Sequence, residues 1–422
     1  MKILVVGGGG REHAICWKIR QSQKVQKIYC APGNAGTAEI AENVPIQADD
    51  IQGLLDFAVE KKIDLTVVGP EAPLVNGIVD KFEKAGLKIF GPDSAAAMIE
   101  GSKVFAKNFM RSAGIPTADF VVLDDPGMIE DVVNKFETAA VKVDGLAAGK
   151  GVIICKSKNE IRLALERILV AKEFGDAGKK VVVEELLDGE EASMLAFCDG
   201  KRATLMLSAQ DHKRVFDNDE GPNTGGMGAY CPAPVVNGLE KNIFEKIFVP
   251  AMREFNKKGI AYKGVLYAGL MINNGSFKVL EFNARLGDPE AQVILPLLDS
   301  DFVDLAFACI SGNLDKFEIK WKKGSACCVV LASKGYPGNY KKGFLIRGLD
   351  NVKAFEGVIV FHSGTTVCDG GICTNGGRVM SVVGIGQNIK GAIERAYVGV
   401  SQIDFEGMHF RTDIGKKALQ RK

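Results

Sequence analysis

The first hundred residues carry the strongest constraint on the fold. Short β-branched runs alternate with amphipathic stretches, and glycine stands near the ends of the runs. Residues 2–6, 27–30, 64–68 and 88–90 read as strands, and 12–22, 51–60 and 74–84 as helices. Strands separated by helices predict a parallel, doubly wound α/β sheet, with ligands at the carboxyl ends of its strands.

Glycine punctuates the rest of the chain as well. There are 49 in 422 residues, where a usage of roughly 7% would give about 30. They show no G-x-y period, which excludes collagen. Eighteen fall in 7–10, 33–36, 145–151, 221–228 and 370–377 or at Gly287. Those are stretches where backbone must approach phosphate or a flap must close.

After Gly101 the rhythm changes. A helix over 103–111 is broken at Gly114-Ile115-Pro116, and strands at 140–143, 151–155 and 180–184 then surround one long helix, 160–172. Strands dominate again from Glu191 to about 323, with helices at 239–257, 289–297 and 302–310. Short strands and glycine turns follow, closed by a helix over 389–402. The expected layout is an α/β domain at 1–101, two α+β lobes at 102–190 and 191–324, and a small α+β domain at 325–422.

Fifty-three basic residues balance 52 acidic ones. This argues against a nucleic-acid or membrane partner held by bulk charge. No apolar run approaches the roughly 18 residues of a membrane span. The N-terminus lacks a signal peptide's apolar stretch, so a soluble cytoplasmic protein is expected. The ten cysteines include no C-x-x-C pair and read as structural or incidental thiols in a reducing compartment, Cys368 and Cys373 included.

Seven stretches carry chemistry. Glycines 7–10 lie between a strand and a helix start and suit a phosphate cradle. Glu12 replaces the third glycine of a dinucleotide fingerprint, so a nicotinamide cofactor is disfavoured. Pro32-Gly33-Asn34-Ala35-Gly36-Thr37 forms a second loop at the same sheet edge. Gly145, Gly149, Lys150 and Gly151 lie between two strands, so this is no Walker loop but a hairpin flap with a lysine, fed by Lys142. Glu184, Glu185 and Glu191 end or follow a Val-rich strand; they either meet a nucleoside or are merely solvated. Along 280–290, strand alternation puts Glu281, Asn283 and Arg285 on one face. A carboxylate and an amide oxygen two residues apart suit Mg²⁺, and an arginine beside them can steady developing negative charge. Asp211, Lys213 and Arg214 precede a mobile loop containing Asn223. Arg378, on a later turn, either reaches the site or only closes a hairpin.

In this order, VVGGGGREH, PGNAGT, EGSKVFAK, VKVDGLAAGKGV, EELLDGEEAS, QDHKRVFDNDEGPNTGGMGAY, EFNARLGDPE and TNGGRV resemble the ATP-grasp ligases. Within that superfamily the chain resembles the phosphoribosylamine–glycine ligase family, from residue 2 to near its end. The resemblance implies ATP, glycine and 5-phosphoribosylamine as substrates, with Mg²⁺ or Mn²⁺. Another acyl donor, such as formate or bicarbonate, is the alternative. It implies that Lys103, Lys142, Gly145, Gly149, Lys150 and Gly151 hold the ATP phosphates. Glu184, Glu185, Leu186, Leu187, Glu191, Arg214 and Asn223 would complete the nucleotide site. Glu281 and Asn283 would hold metal, and Arg285, Asp211 and Lys213 would serve glycine activation. Gly8, Gly9, Gly10, Gly33, Asn34, Ala35, Gly36, Thr37, Asp288 and Arg378 would hold the phosphoribosyl group. Ala284 and Leu286 stand where the family often has Cys and Phe, an exchange expected to alter packing only. Tyr267-Ala268-Gly269-Leu270 offers no second metal carboxylate, which leaves the number of metal ions open. A monomer or small homo-oligomer is expected, with transient contact to an upstream enzyme.

Overall fold

The computed structural model describes residues 1–145 and 151–421. Its first sheet is all parallel. Strands β1 (Lys2–Gly7), β2 (Lys27–Pro32), β3 (Glu42–Asn43), β4 (Leu65–Val68) and β5 (Ile89–Phe90) lie in the order β3-β2-β1-β4-β5. The central strand is apolar without alternation because it is covered on both faces: Ile3, Leu4, Val5 and Val6 are fully buried. One expected helix, 74–84, is two, Glu71–Val75 and Ile78–Lys84. Gly77, at φ 83°, makes the break in a left-handed conformation that other residues avoid.

The next sheet is antiparallel. Its strands β6 (Phe120–Leu123), β7 (Ala139–Val143), β8 (Val152–Cys155) and β9 (Val181–Glu185) run in the order β6-β9-β7-β8. β7 and β8 form the expected hairpin, but Gly149 and Lys150 lie outside the described residues. A short helix, Ile129–Lys135, was not foreseen; Ile129, Val132 and Val133 bury one face of it. The long helix begins at Lys158, capped by Ser157, and ends in a wider-wound turn, Glu166–Val170.

Eight strands follow: β10 (Glu190–Asp199), β11 (Ala203–Leu205), β12 (Gln210–Asp211), β13 (Arg214–Phe216), β14 (Glu220–Asn223), β15 (Gly228–Cys231), β16 (Lys263–Asn273) and β17 (Ser276–Asn283). Four of them form the sheet β11-β10-β16-β17. β12 and β15 leave it to pair with C-terminal strands β18 (Ser325–Ser333), β19 (Val358–His362) and a later strand, Arg378–Gly386. This second large sheet therefore crosses residue 325, and Gly228–Cys231 bonds directly to β18. Ala284 and Leu286 are both buried.

The expectation for Cys368 and Cys373 is corrected. β20 (Thr365–Cys368) and β21 (Gly371–Thr374) form a hairpin that brings their Cα atoms to 5.9 Å, and the two are disulfide-bonded. The other eight cysteines are free and buried. Among the described residues no helix is long and apolar enough to cross a membrane.

Candidate active site

One large cleft, of about 1180 Å³, lies where the sheets meet. At one end it is cationic. Ser102 caps the helix Lys103–Ala113 and donates to Asp144 at the base of the β7–β8 hairpin, 2.9 Å away. That places Lys103 under the hairpin, with its Nζ donating to the Gly145 carbonyl at 3.0 Å. Lys103, Lys107, Lys142, Gly145 and Gly151 line this end, against an apolar wall that includes Met110, Ile154 and Leu280. Burial and the neighbouring Lys142 lower the Lys103 pKa, while Glu281 opposes them.

Glu184 differs from expectation. Its carboxylate is buried and ion-paired to both Lys107 and Lys142, so it does not point into open space. Glu185 is paired to Lys278 and accepts from the Asp119 amide at 3.3 Å. Glu185, Leu186, Leu187 and Glu191 do not line the cleft.

At the middle of the cleft stand Glu281 and Asn283 from β17, with Arg285 just beyond. Enclosure in the cleft opposes ionisation of Glu281, but Lys213, Lys142, Lys103 and Arg285 outweigh it and hold the pKa below the ordinary value. Arg285 bridges two acids that were not foreseen. It lies 3.2 Å from Glu71 and 2.7 Å from Glu100. Glu100 also accepts the Ala284 amide at 2.6 Å. Burial raises the Glu100 pKa and Arg285 opposes the rise.

Beyond Arg285, Asp211 and Lys213 face each other at 3.5 Å. Burial raises the Asp211 carboxyl to about 7; Lys213 and Arg378 resist, and Glu290 adds to the rise. Glu290 accepts from Ser193 and Tyr267 hydroxyls at 2.8 and 2.7 Å. Arg214 and Asn223 also line the cleft. The C-terminal turn does reach it. Arg378 donates to the carbonyls of Gly225 and Asp288 at 2.7 and 2.8 Å, and its guanidinium lies 3.4 Å from the Asp288 carboxylate.

The N-terminal loops meet this cleft only at its edge. Arg11, Pro70 and Glu71 line it, whereas Gly8, Gly9, Gly10, Gly33, Ala35, Gly36 and Thr37 do not. The two loops are locked together. Asn34 donates to the Gly8 carbonyl at 2.9 Å, and its Oδ1 accepts the Gly36 and Thr37 amides. The Gly9 amide is capped by Glu12 at 2.6 Å. Several amides expected to face a phosphate are thus already bonded. A Cβ at Gly8 would lie 2.6 Å from the Gly33 carbonyl oxygen, so close packing requires that glycine.

Of the residues sequence reasoning missed, Lys107 had a signal: it is four positions after Lys103, on the same helix face. Glu100 and Glu290 stand at the ends of the motifs EGSKVFAK and EFNARLGDPE, whereas Glu71 and Tyr267 had no such signal.

Comparison with known proteins matches three family models in order along the chain. They are described as the N domain of phosphoribosylglycinamide synthetase (residues 1–100), its ATP-grasp (A) domain (101–291) and its C domain (326–417). The phosphoribosylamine–glycine ligase of Caldanaerobacter subterraneus subsp. tengcongensis is 51% identical, over 98% of this chain and 99% of its own. That of Vibrio parahaemolyticus is 49% identical, over 100% and 99%. The solved Thermotoga maritima phosphoribosylamine–glycine ligase superposes with a TM-score of 0.85 at 34% identity, covering 98% of this chain and 100% of that one. At 15% identity and TM-score 0.74, the biotin carboxylase domain of Hydrogenobacter thermophilus 2-oxoglutarate carboxylase shares the fold.

Proposed function

The chain belongs to the phosphoribosylglycinamide synthetase family, and from that premise we propose how its cleft joins glycine to 5-phosphoribosylamine. The activity is ATP-dependent ligation in purine biosynthesis. One observation carries the assignment of parts: Lys103 and Lys142, Glu281 and Asn283, and Arg285 and Asp211 all line a single cleft.

ATP lies at the cationic end, its phosphates against Lys103 and Lys142 and its base against the apolar wall. The carboxylate of Glu281 and the amide oxygen of Asn283 are hard donors and fit Mg²⁺, with Mn²⁺ as a substitute. Among the described residues no cluster of three or more His, Cys, Asp or Glu completes a cage. Phosphate oxygens and water would complete the coordination, as Mg²⁺ prefers. Bound there, the ion neutralises charge on the phosphate oxygens.

Glycine sits with its ammonium toward Asp211 and its carboxylate toward Arg285. A glycine carboxylate oxygen attacks the γ-phosphorus and ADP leaves, giving glycyl phosphate. The amine nitrogen of phosphoribosylamine then attacks the acyl carbon. Phosphate leaves and the nitrogen sheds a proton. Arg285 steadies the tetrahedral oxyanion. Lys213 attends a phosphate oxygen, and Asp288 and Arg378 border the phosphoribosyl group.

Phosphate release from ATP is the test. It requires glycine and phosphoribosylamine together. Equal release with formate in place of glycine, or none with glycine, overturns the reading.

A further inference from the structure

Three side chains at the cationic end form a buried group that the mechanism above uses only in part. Glu184 is 2% exposed and is ion-paired through one oxygen to Lys107 and through the other to Lys142. The two lysines are held differently. Lys107 is on the helix Lys103–Ala113, and its Nζ also donates to Thr117 Oγ1 at 2.8 Å. The Thr117 hydroxyl in turn donates to the Val279 carbonyl at 2.8 Å, which ties Lys107 to β17. Lys142 stands on β7, two residues before Asp144 and the hairpin turn. Among the described residues, Glu184 is the one carboxylate within ion-pair distance of it. Its charge also reaches Glu281, whose ionisation it favours.

This arrangement poses an electrostatic problem. A buried carboxylate stripped of its counter-ion is strongly destabilised. Were Lys142 the sole counter-ion of Glu184, moving it toward a phosphate would strand that charge, and the cost would fall on nucleotide binding. With two lysines on one carboxylate, one is surplus. Lys107, pinned by Thr117, is the one that stays.

We propose that Lys107 is a positioning residue. It is the resident counter-ion of Glu184, and its charge frees Lys142 to leave that carboxylate for the nucleotide's phosphates. The inference rests on the reading that ATP phosphates lie at Lys103 and Lys142.

Calorimetric titration of the full-length protein with ATP in the presence of Mg²⁺ tests it. Lys107→Met should weaken ATP binding by about 10- to 100-fold, because Lys142 is then trapped by an otherwise uncompensated charge. Removing that charge should remove the need for Lys107. The variant carrying both Lys107→Met and Glu184→Gln should bind ATP within about threefold of Glu184→Gln alone, a coupling that a double-mutant cycle isolates. Lys107→Arg should keep most of the affinity. An equal loss in both backgrounds would mean that Lys107 touches the nucleotide or merely supports the fold, and the proposal falls. No loss in Lys107→Met overturns it as well. If that single variant does not fold, the two Glu184→Gln proteins decide the matter, since neither buries an unpaired carboxylate; a gap above about tenfold refutes the proposal. Failure of the unsubstituted protein to bind ATP would instead refute the underlying reading.

Discussion

Under the β7–β8 hairpin, Lys107 and Lys142 share one carboxylate, Glu184, and Lys103 stands beside them with its Nζ on the Gly145 carbonyl. At the other end of the cleft three cations have acids of their own. Arg285 has Glu71 and Glu100, Lys213 has Asp211, and Arg378 has Asp288. The first half carries surplus positive charge and the second is balanced or slightly acidic. A polyanion such as a nucleotide triphosphate complements the first. A zwitterion such as glycine, which brings no net charge, complements the second. Glu281 stands between them and feels lysines from both.

The largest effect is expected at Arg285. If its balanced charge is turned on the reacting acyl group, Arg285→Ala should lower kcat by about 10²–10³, as loss of an oxyanion donor does. Unchanged turnover in a steady-state assay would remove it from the chemistry. Glu281→Gln, at the boundary, should raise the metal concentration needed for half-maximal activity roughly 10- to 100-fold. A metal titration superimposable on the parent's would remove Glu281 from the metal site.

The pH dependence sharpens the contrast. Asp211 is raised to about 7 by burial, so it is protonated below that pH and ionised above it. An ammonium needs the ionised form. Hence kcat/KM for glycine should fall about tenfold per unit below pH 7 and level off above it, since this ratio reports the free enzyme. A flat profile from pH 6 to 8 would exclude Asp211 from glycine binding. The smallest effect is that of salt. Raising ionic strength from about 0.05 to 0.3 M should increase KM for ATP by roughly two- to fivefold and leave KM for glycine nearly unchanged, because screening acts on net charge. Equal shifts would mean that the two halves do not differ as described.

Much of this organisation was readable from the chain. The period of apolar residues marked β1, β2, β4 and β5, and alternation put Glu281, Asn283 and Arg285 on one side of β17. Lys142 stood out from its place on the strand feeding a glycine hairpin, and Lys103 through the family resemblance of EGSKVFAK. Other parts were not readable. Glu184 looked like an acid at a strand end available to a nucleoside, but Lys107 and Lys142 occupy it. The glycine at 8 looked like part of a phosphate cradle, but it also stands where two backbones touch. Nothing near Glu71 or Glu100 marked them as neighbours of Arg285, 214 and 185 residues away along the chain.

Sequence alone was enough for most of the elements, the parallel character of the first sheet, and the kinds of side chain the cleft would contain. Those depend on periodicity and backbone preference, which act over a few residues. Only the tertiary structure decided which charges meet. It set two lysines on Glu184, two acids on Arg285, and Arg378 of the C-terminal region against Asp288. It also carried one sheet across residue 325. Ion pairing and strand pairing depend on distance in space, and burial fixes how strongly each pair is felt.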